Sequence, residues 1–286
     1  MGQAFAPAKV NLFLHVGPVV GDGYHPLASL VAFADVGDVL TALPAQCLSL
    51  TVAGPLGEGL AGDDNLVLRA VRALAAHAGL AEPALAFTLD KQLPVAAGLG
   101  GGSSDAGAAL RLTRHLLDLD IEDGALEAVA ATIGADGPMC LRARAAWAEG
   151  RGDRLTDEPR LPPLHAVLVN PGVPSPTGAV YAAYDAGPAA SADHPAPPPG
   201  WTAPQVIDWL AAQRNDLQGP AITLAPAIGD ALAAVVAAPG VRLARMSGSG
   251  ATVFGLCDSA EDAVAAVAAL TIAHPGWWVR ATVLNA

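Results

Sequence analysis

The stretch LPVAAGLGGGSSDAGAAL, residues 93–110, sets five glycines and two serines between an apolar strand-like run and a helix-like one. Ordering a glycine costs more backbone entropy than ordering any other residue, so such a cluster marks a hinge or a place where something comes close to the backbone. Flexible Gly/Ser linkers are not normally bracketed by a strand and a capped apolar helix, which puts the hinge reading second. Two phosphate-binding fingerprints fail here. A Walker A loop ends in Gly-Lys-Ser/Thr, whereas Ser103-Ser104-Asp105 follow Gly102, and Ser103 stands where a dinucleotide fingerprint needs its last glycine. The physical logic survives both failures. Glycine N–H groups opening into a helix N-terminus make a concave donor surface with partial positive charge. The cluster therefore reads as a phosphate cradle.

The flanking pattern mixes strands and helices. In KVNLFLHV (9–16), Val10, Leu12, Leu14 and Val16 fall on one face and Lys9, Asn11, Phe13 and His15 on the other, the period of a strand. GDGYH follows as a turn, then the extended run LASLVAFADVGDVLTAL. LSLTV and ALAFTLDKQL are further candidate strands on either side of a helix in DNLVLRAVRALAAHAGL, which Asp64 or Asn65 can cap and Gly79 can end. After the glycine cluster, apolar residues recur at helical spacing, with Ser103, Ser104 and Asp105 where capping residues belong. Another helix, EDGALEAVAATIG, stops at Gly134.

Near residue 156 the pattern restarts with the strand LHAVLVNPG. The Pro/Ala-rich segment 186–204 reads as a solvated surface loop, helices are expected over about 203–238, and the chain closes on RLARMSGSGATVFGLC, a helix near 259–270 and the strand WWVRATVL. Strict strand–helix alternation is absent, which favours α+β over a doubly wound parallel sheet. The simplest division is a first domain over 1–155 and a second over 156–286.

Composition narrows the function. The chain of 286 residues is 52% hydrophobic, enough for a sizeable core, but no apolar run reaches the length of a membrane span. The N-terminus lacks a basic region leading into a long apolar one, so it does not read as a signal peptide. Cys47, Cys140 and Cys257 fit neither a disulfide framework nor a zinc site; buried free thiols and a reducing cytoplasm are expected. The net charge of −12 is spread along the chain, which argues against nucleic acid as a partner. An anionic small substrate would need local positive potential.

PAKVNLFL near the start, PVAAGLGGGSSDA in the middle and MSGSGATVFGL near the end stand in the order and spacing of the GHMP kinase superfamily, which this chain resembles over nearly its whole length. GDGYHPL, DDNLVLRA, GADGPMC and RNDL place the resemblance among members that phosphorylate a cytidine-diphosphate-linked polyol on the non-mevalonate route to isoprenoid precursors. The resemblance implies a two-domain α+β fold with the active site in the interdomain cleft, ATP and Mg²⁺ as cofactors, and a monomer or homodimer. It implies that Lys9 and Asp136 form the catalytic pair, Asp136 accepting the proton of the attacking hydroxyl and Lys9 neutralising charge on the transferred group. Asn65, Lys91, Pro94, Gly98, Leu99, Gly100, Gly101, Gly102, Ser103 and Ser104 match the ATP side, with Ser104 also a candidate metal ligand. Asn11, Tyr24, His25, Thr177 and Tyr181 match the side that holds the cytidine diphosphate. The turn Ser247, Gly248, Ser249, Gly250 matches the loop that closes on phosphates and substrate.

Three departures stand out. Gly137 replaces a frequent valine and is expected to loosen the backbone beside Asp136; Tyr181 replaces a frequent phenylalanine; Gln92 replaces a frequent basic residue. The rival readings are a homoserine, mevalonate or sugar kinase of the same superfamily, and a nucleotide-binding regulator without chemistry.

Overall fold

In a computed structural model the described residues are all but Asp22, Ala61 and Ala189; these lie in the GDGYH turn, the connection before residue 65 and the Pro/Ala-rich segment. The first part of the chain forms β1 (Gly2–Val16), β2 (Leu27–Pro44), β3 (Ser49–Ala53), α1 (Leu66–His77), β4 (Leu85–Asp90), α2 (Gly101–Leu116), α3 (Asp123–Ile133) and α4 (Gly137–Arg142). The middle forms β5 (Ala146–Gly150), β6 (Arg154–Asp157), β7 (Leu164–Asn170), α5 (Thr177–Asp185), α6 (Ala203–Ala211), α7 (Gln218–Leu224) and α8 (Ala227–Ala237). The last part forms β8 (Val241–Met246), β9 (Val253–Cys257), α9 (Ala260–Ala273) and β10 (Trp278–Leu284).

The chain divides into two compact α+β units. The first takes residues 1–8, 37–95 and 100–143; the second takes 9–36, 96–99 and 144–286. Neither unit is one continuous stretch of chain. The long strands β1 and β2 each contribute to both units, because membership follows pairing and packing and not chain order.

In the first unit β3 runs parallel to β4, and β4 runs antiparallel to the second half of β2, with Val39 opposite Asp90 and Pro44 opposite Leu85. One core joins these strands to the helices through Leu40, Phe87, Leu89, Val67, Val71, Ala108 and Leu112. A second core lies among α1, α2 and α3, where Leu74, Leu110, Leu126 and Val129 meet. Helix α2 faces both cores, through Ala108, Ala109 and Leu112 on one side and Ala106 and Leu110 on the other. Each fully buried side chain of this size contributes about 1.5–3 kcal/mol relative to exposure. Asn65 is the cap of α1, accepting from the Val67 amide at 2.9 Å.

In the second unit β10, β7, β9 and β8 pair antiparallel in that order. Val167, Val169, Val253 and Val279 on the strands pack against Ile228, Val235, Ala266 and Leu270 on α8 and α9. The buried Arg245 guanidinium donates to the carbonyls of Leu12, Leu210 and Gln213, each at 2.7 Å.

Both faces of β1 are covered: Lys9, Asn11 and His15 are buried like their apolar neighbours. Three expectations change. Cys140 and Cys257 are buried as expected, but Cys47 is exposed in the connection between β2 and β3. The described residues of 186–202 form no helix or strand, yet they are tied down: Asp193 and Ala196 carbonyls bond the side chains of His15 and Trp209, and the His194 ring lies 4.5 Å from that of Trp147. Gly137 is a close approach and not a loosening, since a Cβ there would lie 2.1 Å from the Ala130 carbonyl oxygen. No helix among the described residues is long and apolar enough to cross a membrane.

Candidate functional site

The glycine-rich segment begins helix α2 without a side-chain cap. Gly100 is its N-cap, in the left-handed region at φ 61, and Ser103, Ser104 and Asp105 sit inside the first turns. Their side chains therefore do other things. Ser104 is wholly buried and its hydroxyl donates to the Pro7 carbonyl at 2.7 Å. A hydroxyl turned into the fold in this way is an anchor and does not fit the metal role expected of it. Ser103, half-buried, and the exposed Gly102 lie on the accessible side of the turn, while Pro94 is half-buried at the entrance of the loop.

Lys91 is also redirected. Its ammonium is buried between Asp38 Oδ2 at 2.6 Å and Asp105 Oδ2 at 2.7 Å. Burial acts to lower the Lys91 pKa, but the Asp105 and Asp38 carboxylates outweigh it and leave it above the ordinary lysine value. Burial pushes the Asp105 carboxyl up to about 7, with Lys91 pulling against it and Asp38 adding to it. Asn65 spends its amide on the α1 cap and on the Leu60 carbonyl at 2.8 Å. The fold thus employs both expected nucleotide contacts, Lys91 and Asn65, as supports.

Asp136 stands half-buried at the N-cap of the short helix α4, positioned by the Gly134 turn and the bond from the Cys140 amide to its carbonyl at 3.0 Å. It belongs to the first unit.

In the second unit one hydrogen-bonded chain joins residues far apart in sequence. Lys9 Nζ donates to Asn11 Oδ1 at 2.8 Å, Asn11 Nδ2 donates to Ser29 Oγ at 2.8 Å, and Ser29 Oγ donates to the Phe13 carbonyl at 2.5 Å. The Asn11 amide donates to Ser247 Oγ at 3.1 Å, and that hydroxyl donates to the Gly98 carbonyl at 2.9 Å. Leu99 accepts from the Lys9 amide at 2.8 Å, and Ala97 from the Thr252 amide at 3.0 Å. Gly98 has φ +73, and a Cβ on it would lie 2.3 Å from the Ser247 carbonyl oxygen. Residues 96–99 and the 247–252 turn are thereby packed together.

The 247–250 turn is braced from behind. Asn215 Nδ2 donates to the Met246 and Gly248 carbonyls at 2.8 Å each, Ser175 Oγ to the Ser249 carbonyl at 2.6 Å, and the hydroxyls of Thr177 and Ser249 are 2.9 Å apart. Gly250, at φ +87, completes the turn where a side chain would strike Met246 Sδ.

A second cluster in this unit gathers aromatic rings. The His25 ring lies 4.9 Å from Tyr181 and 5.8 Å from Tyr184, and its Nε2 is 2.7 Å from Asp185 Oδ1. Tyr24 is exposed, with the Arg151 guanidinium 4.1 Å from its ring centroid. A face of stackable rings beside an oriented imidazole suits a nucleobase. Ser29, Ser175, Asp185, Arg151, Asp38 and Asp105 were not expected at these positions. Asp185 carried a signal, standing four residues after Tyr181 on one helical face. Asn215 lies in the RNDL motif and now has a structural role.

The description GHMP kinases N terminal domain fits residues 65–143, and GHMP kinases C terminal fits residues 205–275. The chain is 55% identical over 282 residues to the 4-diphosphocytidyl-2-C-methyl-D-erythritol kinase of Caulobacter vibrioides, with 97% of each chain covered. It is 56% identical over 287 residues to the protein of that name from Methylobacterium radiotolerans, covering 98% of each. Among solved structures, a 4-(cytidine 5'-diphospho)-2C-methyl-D-erythritol kinase superposes with a TM-score of 0.81 at 35% identity over 100% of both chains. A homoserine kinase from Cytophaga hutchinsonii superposes at 0.68 with 20% identity, a likeness of fold alone. The chain belongs to the GHMP kinase family.

Proposed function

We propose that this chain is an ATP-dependent kinase that transfers the γ-phosphoryl group to a hydroxyl of 4-diphosphocytidyl-2-C-methyl-D-erythritol, forming the 2-phosphate in isoprenoid precursor synthesis in the cytoplasm. The observation that carries this reading is likeness over essentially the whole chain to kinases named for that substrate. The aromatic cluster supports it: Tyr24, His25 and Tyr181 offer surfaces for a cytosine, and a small polyol such as mevalonate has no base to stack.

Phosphoryl transfer asks for positioning and charge neutralisation more than for covalent help. In this reading the amides of residues 98–104 hold the ATP phosphates, and the Asp136 carboxylate accepts the proton of the attacking hydroxyl as the oxygen bonds to the γ-phosphorus and ADP departs. Lys9, held by Asn11, stabilises the charge developing on the transferred group. Thr177 and the 247–250 turn shape the substrate side. A magnesium ion would compensate phosphate charge; Ser104 does not fit as its ligand, and we assign it no protein ligand.

ADP production with 4-diphosphocytidyl-2-C-methyl-D-erythritol, set against homoserine and mevalonate, tests the substrate. Turnover with the cytidine compound alone supports the reading, and preference for either small acceptor overturns it. Asp136→Ala should abolish turnover while nucleotide binding persists; near-normal turnover removes Asp136 from the mechanism.

A further inference from the structure

We propose that Asp38, Lys91 and Asp105 form a positioning clamp that fixes the two ends of the glycine-rich loop, so that its amides are already arranged when nucleotide arrives. The inference rests on the proposed role of residues 98–104 as the phosphate site.

The geometry is that of a tie between three elements of one unit. Asp38 projects from β2, Lys91 follows β4, and Asp105 lies in the first turns of α2. All three are at most 3% exposed. Asp38 uses both carboxylate oxygens: Oδ2 takes the Lys91 ammonium at 2.6 Å, while Oδ1 accepts from the backbone amides of Gln92 at 2.6 Å and Leu93 at 2.9 Å. That pins the loop entrance. Lys91 carries the tie onward to Asp105 Oδ2 at 2.7 Å, which pins the exit. Between these fixed points the chain passes through left-handed conformations at Ala96, Gly98 and Gly100. The ammonium lies close behind the helix start, since a Cβ on Gly101 would be 3.2 Å from Lys91 Nζ and 3.7 Å from Asp38 Oδ2.

Stability alone is a poor reason for such a cluster. Burying three charged groups is costly, and well-packed apolar side chains of similar volume commonly hold a fold as well or better. Directional charge-assisted hydrogen bonds supply something apolar packing does not, a defined distance and angle between the segments they join. A loop rich in glycine needs that constraint, because its amides otherwise sample many arrangements and binding must order them. Nor is the cluster an attractor for phosphate. Two carboxylates face one ammonium, Asp105 Oδ1 is buried without a hydrogen-bond partner, and burial lifts the Asp105 carboxyl to about 7, so the cluster tends towards neutrality. Lys91 is therefore a positioning residue acting through the backbone.

The test compares Asp105→Ala with Asp105→Asn, whose amide oxygen still accepts from Lys91. D105A is expected to raise the KM for ATP about tenfold or more, with kcat and the KM of the acceptor within about threefold. D105N should stay within about threefold of the unaltered protein in all three. Should D105A fail to fold by near-UV circular dichroism, D105E, which keeps the charge but lengthens the arm, replaces it with the same expectation. An unchanged ATP KM, or losses in kcat and both KM values that follow the unfolded fraction, overturns the clamp. Amide hydrogen exchange separates this from failure of the loop assignment. If ATP does not protect amides 98–104 in the unaltered chain, the loop is not the phosphate site. If protection is present there and equally strong in D105A, the loop assignment stands and the clamp falls.

Discussion

Two lysines of this chain are almost fully buried, one in each compact unit, and their described partners differ. Lys9 donates to the neutral amide of Asn11, itself held by Ser29; Lys91 donates to the carboxylates of Asp38 and Asp105. The Asn11 side-chain oxygen helps to fix Lys9 in space. The two acids answer the charge of Lys91 completely and turn it into a structural tie. Sequence alone could assign both to nucleotide chemistry. Burial is common to them, so the part Lys91 plays is read from the two carboxylates that tie it to β2 and α2, and not from its depth.

Removing the Lys9 charge should have the largest consequence. Lys9→Met is expected to lower kcat by about 10³-fold, roughly 4 kcal/mol of transition-state stabilisation, in a protein that still folds. Steady-state rates together with a melting curve check it, and a loss below about tenfold would put Lys9 on the same footing as Lys91. Gly98→Ala comes next. It forces a side chain into a left-handed conformation 2.3 Å from the carbonyl oxygen of Ser247, the residue whose hydroxyl accepts from the Asn11 backbone amide. A loss of about 1–3 kcal/mol in unfolding free energy is expected by denaturant titration. Ser29→Ala should cost about 1–3 kcal/mol by stranding the Asn11 amide and the Phe13 carbonyl, and kcat should fall with it because Lys9 loses its bearing. If stability falls but kcat does not, the Lys9–Asn11–Ser29 chain is structural only.

Much of this was legible in order along the chain. The period-2 run at residues 9–16, the Asn65 cap, the stop at Gly134 and the glycine-rich turn at 247–250 all rest on local rules, and the structure places them accordingly. What escaped is what depends on residues distant in sequence. Asp38 meets Lys91 across 53 positions, and nothing in GDVLTAL distinguishes that aspartate from a solvated one. The alternation in β1 was read correctly as a strand, but the period reports which residues share a face and not what covers it, so the burial of His15 beside Lys9 and Asn11 was not legible. Asp105 looked like a cap because acidic and hydroxyl residues favour helix starts; Gly100 begins the helix, leaving the acid inside the first turns.

The smallest effect discriminates best between the two lysine environments, and it concerns pH. The Asp105 carboxyl stands at about 7 in the folded chain, against an ordinary value of 3.8, chiefly through burial. A carboxyl raised by folding favours the folded state while protonated. Its contribution is complete below about 4 and is lost as pH climbs through 7. The amide of Asp105→Asn stays neutral throughout and still faces Lys91 and Asp38. The variant should therefore gain on the unaltered protein as pH rises from 5 to 8, by about 1–2 kcal/mol, or roughly 2–6 °C in Tm. Scanning calorimetry of both proteins at several pH values measures the difference. A gap that stays constant from pH 5 to 8 would mean that Asp105 is already ionised across this range. The pair of acids would then hold Lys91 with a net negative charge behind the loop, and the contrast with Lys9 would have to be drawn from geometry alone.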